Sequence, residues 1–450
     1  MLKTEKRAAA SLALVYAFRM IGLFMILPVF SLYASDYAGA TPVLIGLAIG
    51  VYGLTQGLFQ LPFGYLSDRV GRKRMIILGL LLFCAGSVLA ALAVSIEQVI
   101  LGRALQGMGA IAAVVMALAA DLTREEARMR IMALIGMSIG LAFMLSMILG
   151  PVLAAHVGMS GIFWVTAVLA FLSMLIILWI TPNPIEQSFH RDAQLSVSDI
   201  SKVLANRELL RLDFGVFVLH LVLAATFVLF PLVLQQQLDR AVGEHWQTYL
   251  PVFVLSIALM LPMIIFAEKK QKMKVTFLAG ILLVILSELG LAFASGYQAI
   301  FVCLVVFFGG FNFLEASMPS LVAKIAPADM KGTAMGLFSS AQFLGAFVGG
   351  LIGGVMLGLQ SFTQAFLLLA VILLSWWLVA FFMKNPRALA SKVVSLRHLD
   401  EQGMTVFVEQ ARKLPGVQDV SVYIDDRLAY LKIDKKRFSA EALQVLLGEE

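Results

Sequence analysis

Of 450 residues, 60% are hydrophobic and 14% charged, and the mean hydropathy is +0.92. A chain this apolar is not a set of soluble domains; most of it belongs in lipid. The net charge of +6 comes from Lys and Arg gathered in short loops between apolar runs, which is a topology pattern and not a nucleic-acid surface, so no nucleic-acid partner is expected.

A transmembrane helix takes about 20 mostly apolar residues. Runs of that length occupy residues 8–34, 43–66, 75–96, 98–120, 131–155 and 159–181. Lys3, Lys6 and Arg7 precede the first run and no small-residue cleavage site follows it, so it reads as a first span and not a removed signal. A polar stretch at 182–207 separates these runs from six more, at 209–236, 246–267, 275–295, 298–323, 332–358 and 362–383. The expected fold class is therefore an all-α membrane protein with twelve transmembrane helices in two six-helix halves, 1–181 and 208–384, joined by the 182–207 linker.

With the N-terminus in the cytoplasm, the inner loops carry Arg69, Arg72, Lys73, Arg74, then Arg124, Arg128, Arg130, then Lys269, Lys270, Lys272, Lys274, then Lys324 and Lys331, against Arg240 outside. This bias orients both termini and the linker toward the cytoplasm of a bacterial inner membrane. Cys84 and Cys303 are the only cysteines, and two thiols inside apolar runs build neither a disulfide framework nor a metal cage. No metal or organic cofactor is expected.

The composition changes abruptly near Val393. A strand is predicted at 393–399, an amphipathic helix at 404–414 and a turn at Pro415-Gly416. Two strands, 418–424 and 428–433, flank a hairpin turn at Asp425-Asp426-Arg427, and Ser439 caps a last helix ending at Leu447. The order β-α-β-β-α is ferredoxin-like and makes residues 393–450 a small cytoplasmic domain. It resembles the heavy-metal-associated fold, yet it contains no cysteine, which excludes thiolate metal capture.

The loop after the second run reads GYLSDRVGRKR over residues 64–74. Gly64 permits close helix approach, Asp68 can accept a neighbouring Arg or face a helix N-terminus, and Gly71 allows a reverse turn. The segment resembles the G-x-L-x-D-R-x-G-R-K motif of the major facilitator superfamily, in which Gly64, Asp68, Arg69, Gly71, Arg72 and Lys73 form a conformational switch, with Asp121 and Arg128 as candidate partners. Two weaker likenesses accompany it. Arg103-Ala-Leu-Gln106-Gly107 is similar to the family's R-x-x-Q-G pattern. Gly136, Gly140, Gly150 and Pro151 resemble the glycine-rich motif of its drug:proton antiporter branch, although Val152-Leu153 stands where that motif has a glycine pair.

Ionisable groups inside spans are costly and generally functional. Arg19 lies near mid-membrane in the first run; Glu315 lies near mid-depth in the tenth, three residues after Asn312 and on the same helix face. Arg19, Arg103, His220, Asn312 and Glu315 are the candidate proton-coupling and cavity residues, with Glu315 the expected proton or cation site and a static Arg19–Glu315 pair the alternative. Arg103, five residues from the outer end, either relays protons or snorkels outward. Asp213 and Glu288 are weaker candidates.

The resemblance implies a proton-coupled secondary transporter, its only coupling ion a proton, exporting drugs or small amphipathic or cationic compounds by alternating access. Its partners would be a small-molecule substrate, the bilayer and its own cytoplasmic loops, on which the tail docks through Lys435, Lys436 and Arg437; a monomer is expected. A facilitated importer or uniporter and a membrane solute sensor are the alternatives. An intramembrane enzyme is not, since the runs contain no metal signature such as H-E-x-x-H.

Overall fold

The computed structural model describes residues 2–183, 197–327, 330–385, 389–396, 400–423, 427–434 and 437–447. Helix α1 is Lys3–Phe24 and α2 the short Phe30–Tyr33; α3 is Pro42–Val70, α4 Arg72–Ala91, α5 Ile96–Met108, α6 Ala112–Asp121 and α7 Glu125–Leu175. The linker contributes α8, Val197–Leu204, and the second half follows as α9 Arg207–Gln236, α10 Trp246–Lys269, α11 Met273–Phe293, α12 Tyr297–Ile325, α13 Lys331–Gly358 and α14 Phe362–Phe381. The tail comprises β1 Leu389–Ser395, α15 Glu401–Ala411, β2 Val417–Tyr423, β3 Leu428–Asp434 and α16 Ala440–Leu447.

Helix starts follow local chemistry. Thr41 accepts the Leu44 amide ahead of Pro42 at the first position of α3, and Asn206 accepts the Glu208 and Leu209 amides at the start of α9. Where the apolar runs and the helices differ, Pro and Gly are the cause. The first run extends past Phe24, but Pro28 supplies no N–H and α1 gives way to a looser stretch before α2. The fourth run is broken at Gly109, where ψ is +54°, into α5 and α6.

Among the described residues, eleven helical segments are long and apolar enough to cross a membrane. One of them, Arg130–Ile180, has 51 residues; at about 1.5 Å per residue it would far exceed a hydrocarbon core of about 30 Å. It is interrupted at Gly158, whose φ of +66° and ψ of −172° are not helical. A glycine takes this backbone without a Cβ clash.

The two halves meet along a glycine seam. Gly46, Gly50, Gly53 and Gly57 line one face of α3, and a Cβ on Gly50 would lie 2.6 Å from the Phe347 carbonyl of α13. Gly350 and Gly354 of α13 answer them, a Cβ on Gly350 coming 2.8 Å from the Gly50 Cα. The opposite face of α13 presses on α9: a Cβ on Gly349 would meet the Leu221 Cα at 2.7 Å, and one on Gly353 the Ala225 Cα at 3.0 Å. Small residues let helix backbones approach where lipid gives no hydrophobic drive. The seam starts at the Pro42 end of α3, opposite the basic loop at 69–74, and at Gly57 it includes the Ser340 hydroxyl donating to Gly57 O at 3.0 Å.

In the tail, β3 lies between β1 and β2, antiparallel to both. Val394, Leu431, Ile433, Phe407 and Leu443 form its core. The elements are shifted by a few residues from the sequence expectation: α15 begins at Glu401 because the Asp400 side chain caps the Gly403 amide at 2.7 Å, and Ser439 caps α16 through the Ala442 amide at 3.2 Å. Asp425 and Asp426 of the predicted hairpin turn, residues 397–399 of the predicted first strand and most of the 182–207 linker lie outside the described residues.

A Gly50→Leu substitution should force α3 from α13, overpacking of this kind costing about 1–3 kcal/mol. With Cys84 and Cys303 replaced by Ser, pulsed-EPR distances between spin labels at Ala40 and Leu359 should move to longer values than in the parent. An unchanged distribution would refute the seam.

Candidate functional site

At the basic end, Gly71 has φ of +104° and turns the chain between α3 and α4. The turn brings Arg72 onto two carboxylates. Arg72 pairs with Asp68, its Nε lies 3.2 Å from Asp121 Oδ2, and its Nη1 donates to Ser67 Oγ at 2.6 Å. Asp121 and Asp68 are therefore joined through Arg72, whose planar fork can serve several acceptors at once. The Asp121 side chain is 3% exposed, so this guanidinium is the counter-charge of a buried carboxylate. Ser67 in turn donates to Gly64 O at 2.6 Å. Lys73 donates to Thr181 O at 2.5 Å and ties the loop to the end of the N-terminal half. Among the described residues Arg69 takes no part: its guanidinium stacks on Tyr65 at 4.6 Å. The side chain of Arg128 is outside the described residues. One contact had no sequence signal: Arg124 Nε donates to Glu5 Oε1 at 2.9 Å, clamping α1 to the start of α7.

Deeper in the N-terminal half lies a polar network. Arg19 is fully buried and its Nη2 donates to Gln56 Oε1 and to Gly109 O, each at 2.7 Å. The second bond explains its place: at the α5–α6 break the Gly109 carbonyl accepts only a tight turn bond from the Ile111 amide at 2.9 Å, and the buried guanidinium takes its remaining lone pair. Its face lies 5.6 Å from the Phe83 ring. Gln56 passes the network to Gln60 at 3.0 Å, and Tyr52 donates to Gln56 at 3.3 Å. Arg103 is 1% exposed, donates to Gln106 Oε1 at 2.7 Å and sits 4.9 Å from the Tyr52 ring. It does not snorkel outward, because it faces α3 and not the membrane surface. Gln106 continues to Ser87 Oγ at 2.7 Å.

In the C-terminal half three elements converge. His220 of α9 holds its Nδ1 3.2 Å from Val216 O, leaving Nε2 to accept from Gln342 Nε2 of α13 at 2.8 Å. Gln342 also donates to Glu315 Oε1 of α12 at 3.2 Å, and Glu315 Oε2 lies 3.7 Å from His220 Nε2. The Glu315 side chain is 38% exposed. The alternative Arg19–Glu315 pair is not formed: Arg19 turns its Nη2 to Gln56 and Gly109, and Glu315 faces His220 and Gln342. Asn312 turns to another helix and donates to Ser256 Oγ of α10 at 3.0 Å, so it does not join the cluster despite its spacing.

The glycines of the fifth run are not equivalent. Gly150 packs tightly, a Cβ there reaching 2.5 Å from Met25 O just ahead of Pro151, whereas Gly136 and Gly140 meet nothing within 4 Å. Asp213 is half-buried. Glu288 is fully buried, accepting from Thr226 Oγ1 at 3.0 Å, while its Oε2 has no hydrogen-bond partner among the described residues. Sequence reasoning passed over Gln56, Gln60 and Gln342. The only available signal was their polarity within apolar runs, which an ionisable-residue search does not register.

The family model described as Major Facilitator Superfamily matches residues 12–311 and 214–420. The inner membrane transport protein YajR of Escherichia coli (strain K12) is 42% identical over 446 residues, covering 97% of each chain. The chain belongs to the major facilitator superfamily. It is thus a multi-pass membrane transporter, as the family resemblance of the 64–74 loop implied. The multidrug resistance protein MdtH of Aeromonas hydrophila is 27% identical, over 72% of this facilitator and 81% of its own length. A bacterial homologue of the human lysosomal transporter Spinster, crystallised in an inward-facing, occupied conformation, superposes with TM-score 0.72 over 86% of this chain and 98% of its own, at 14% identity, which shows a shared fold.

Arg72→Ala should leave Asp121 buried without its counter-charge, a loss of about 3–5 kcal/mol. Adding Asp121→Asn should recover part of it, visible as a higher midpoint for the double variant than for the single one in thermal unfolding in detergent. Equal midpoints would show that the pair is not coupled.

Proposed function

We propose that this facilitator is a proton-coupled exporter of small amphipathic compounds, cationic ones included, working by alternating access of its two halves. Reading Gly158 as the turn between two spans brings the crossings to twelve, in a bacterial inner membrane with both termini cytoplasmic, as the Lys/Arg bias suggests. In the same reading the tail, with its β-α-β-β-α order and β1-β3-β2 sheet, is a ferredoxin-like domain.

The observation that carries this proposal is the His220–Gln342–Glu315 cluster. Gln342 is flanked on α13 by Ser340, which bonds Gly57 of α3, and by Phe343, whose carbonyl crowds Gly53. Movement along the seam would therefore displace the amide that links a titratable imidazole to a partly exposed carboxylate. That is the physical requirement for coupling: a protonation site whose environment changes with the conformation of the transporter. The resemblance to MdtH supports drugs as the substrate class.

Facilitated import is the second reading, favoured by Val152-Leu153 after Pro151 and by the lack of close contacts at Gly136 and Gly140. The two separate in vesicles. Export predicts that inverted vesicles acidified inside release protons when a transported compound is added, and counterflow without a pH gradient would favour import. Glu315→Gln should abolish the proton release while the protein remains folded and inserted. Efflux unchanged across pH in that variant would remove Glu315 from the mechanism.

A further inference from the structure

The tail touches the membrane unit through Lys432. Lys432 Nζ donates to Lys324 O at 2.9 Å, to Ile325 O at 3.0 Å and to Ala326 O. These are the terminal carbonyls of α12, which ends at Ile325; the Val322 carbonyl before them is already taken by the Ala326 amide at 2.8 Å. The last carbonyls of a helix have no partner within it and concentrate the negative end of its dipole. An ammonium with three donors and no acceptor suits such a group of oxygens.

The placement of Lys432 in the sheet strengthens this reading. It lies in β3, the middle strand, between Leu431 and Ile433, whose side chains enter the tail core with exposures of 0% and 7%. Strand alternation puts Lys432 on the opposite face of the sheet, the one away from α15 and α16. In an isolated domain a lysine there would extend into water. Here it is 7% exposed, covered by the end of α12.

We infer that Lys432 pins the open face of the tail sheet to the C-terminus of α12, so that the tail acts as an intramolecular clamp on the helix that carries Asn312 and Glu315. The residues expected to dock, Lys435, Lys436 and Arg437, are not those that make this contact; Lys435 and Lys436 lie outside the described residues. The clamp holds the end of α12 at the basic end while the glycine seam is closed at the other. Its consequence for transport rests on the alternating-access proposal, but the docking itself does not and is tested without any substrate.

The test is hydrogen–deuterium exchange on the full chain in nanodiscs, comparing the parent with Lys432→Met and Lys432→Arg. Lys432→Met should speed exchange of amides 323–326 by tenfold or more, with amides 429–433 remaining protected by their sheet bonds, and Lys432→Arg should stay near the parent. Unchanged exchange at 323–326 with a folded tail would overturn the clamp. Should methionine unfold the tail, loss of protection at 429–433 reveals it, and Lys432→Gln is then read by the same two criteria.

Discussion

The close contact of α3 with α13 is the constraint on which the rest of the structure depends. In lipid, two helices gain little by hiding apolar side chains from one another, so a stable contact needs backbones near enough for dispersion and carbonyl contacts to accumulate. Gly46, Gly50, Gly53 and Gly57 give α3 such a face, and Gly350 and Gly354 give it to α13. Because Gly345, Gly349 and Gly353 seat the other face of α13 on α9, this one helix is held by both halves. A side chain anywhere along it would separate them. Toward the basic end the seam gives way to side chains, with the Phe343 ring set edge-on to Tyr52 and Leu344 against Gly57.

Charge is arranged around this seam and not across it. Among the described residues, the side-chain partners given above for Asp68, Arg72 and Lys73 all belong to the N-terminal half, so the basic-end loop can move with that half as a unit. Arg19 and Arg103 link α1, α3 and α5 with backbone carbonyls and glutamines as acceptors, which keeps the bundle rigid where α5 and α6 part. In the other half Glu315 and His220 share Gln342, an uncharged residue of the seam helix. One half is thereby stiffened by buried guanidinium groups, while the other presents its titratable pair to the helix between the halves.

Much of this could be read before any coordinates. The hydrophobic runs anticipated nearly every helix, the residues 64–74 loop anticipated the Asp68–Arg72–Asp121 grouping, and the tail elements fell within a few residues of their predicted limits. Pairing across helices was not accessible. Depth along a helix made Arg19 and Glu315 look like partners, but depth does not say which way a side chain faces. The i, i+3 spacing of Asn312 and Glu315 likewise tolerated two different partners, Ser256 and Gln342. The break at Gly109 gave no hydropathy signal because it lies in an apolar run. The glycine spacing in α3 was visible in the sequence, yet it acquires meaning only once α13 is known to lie opposite.

The central claim is that the seam between α3 and α13 must open during each transport cycle. A Cβ on Gly358 would lie 3.6 Å from Pro42 Cβ, within the range of about 3.5–4.5 Å that a disulfide spans. Replacing Pro42 and Gly358 with Cys, in a chain whose Cys84 and Cys303 are Ser, therefore permits a bond across the closed end. Oxidation should stop movement of a compound that the reduced vesicles transport, and reduction should restore it. Undiminished transport by the fully cross-linked protein would contradict the claim.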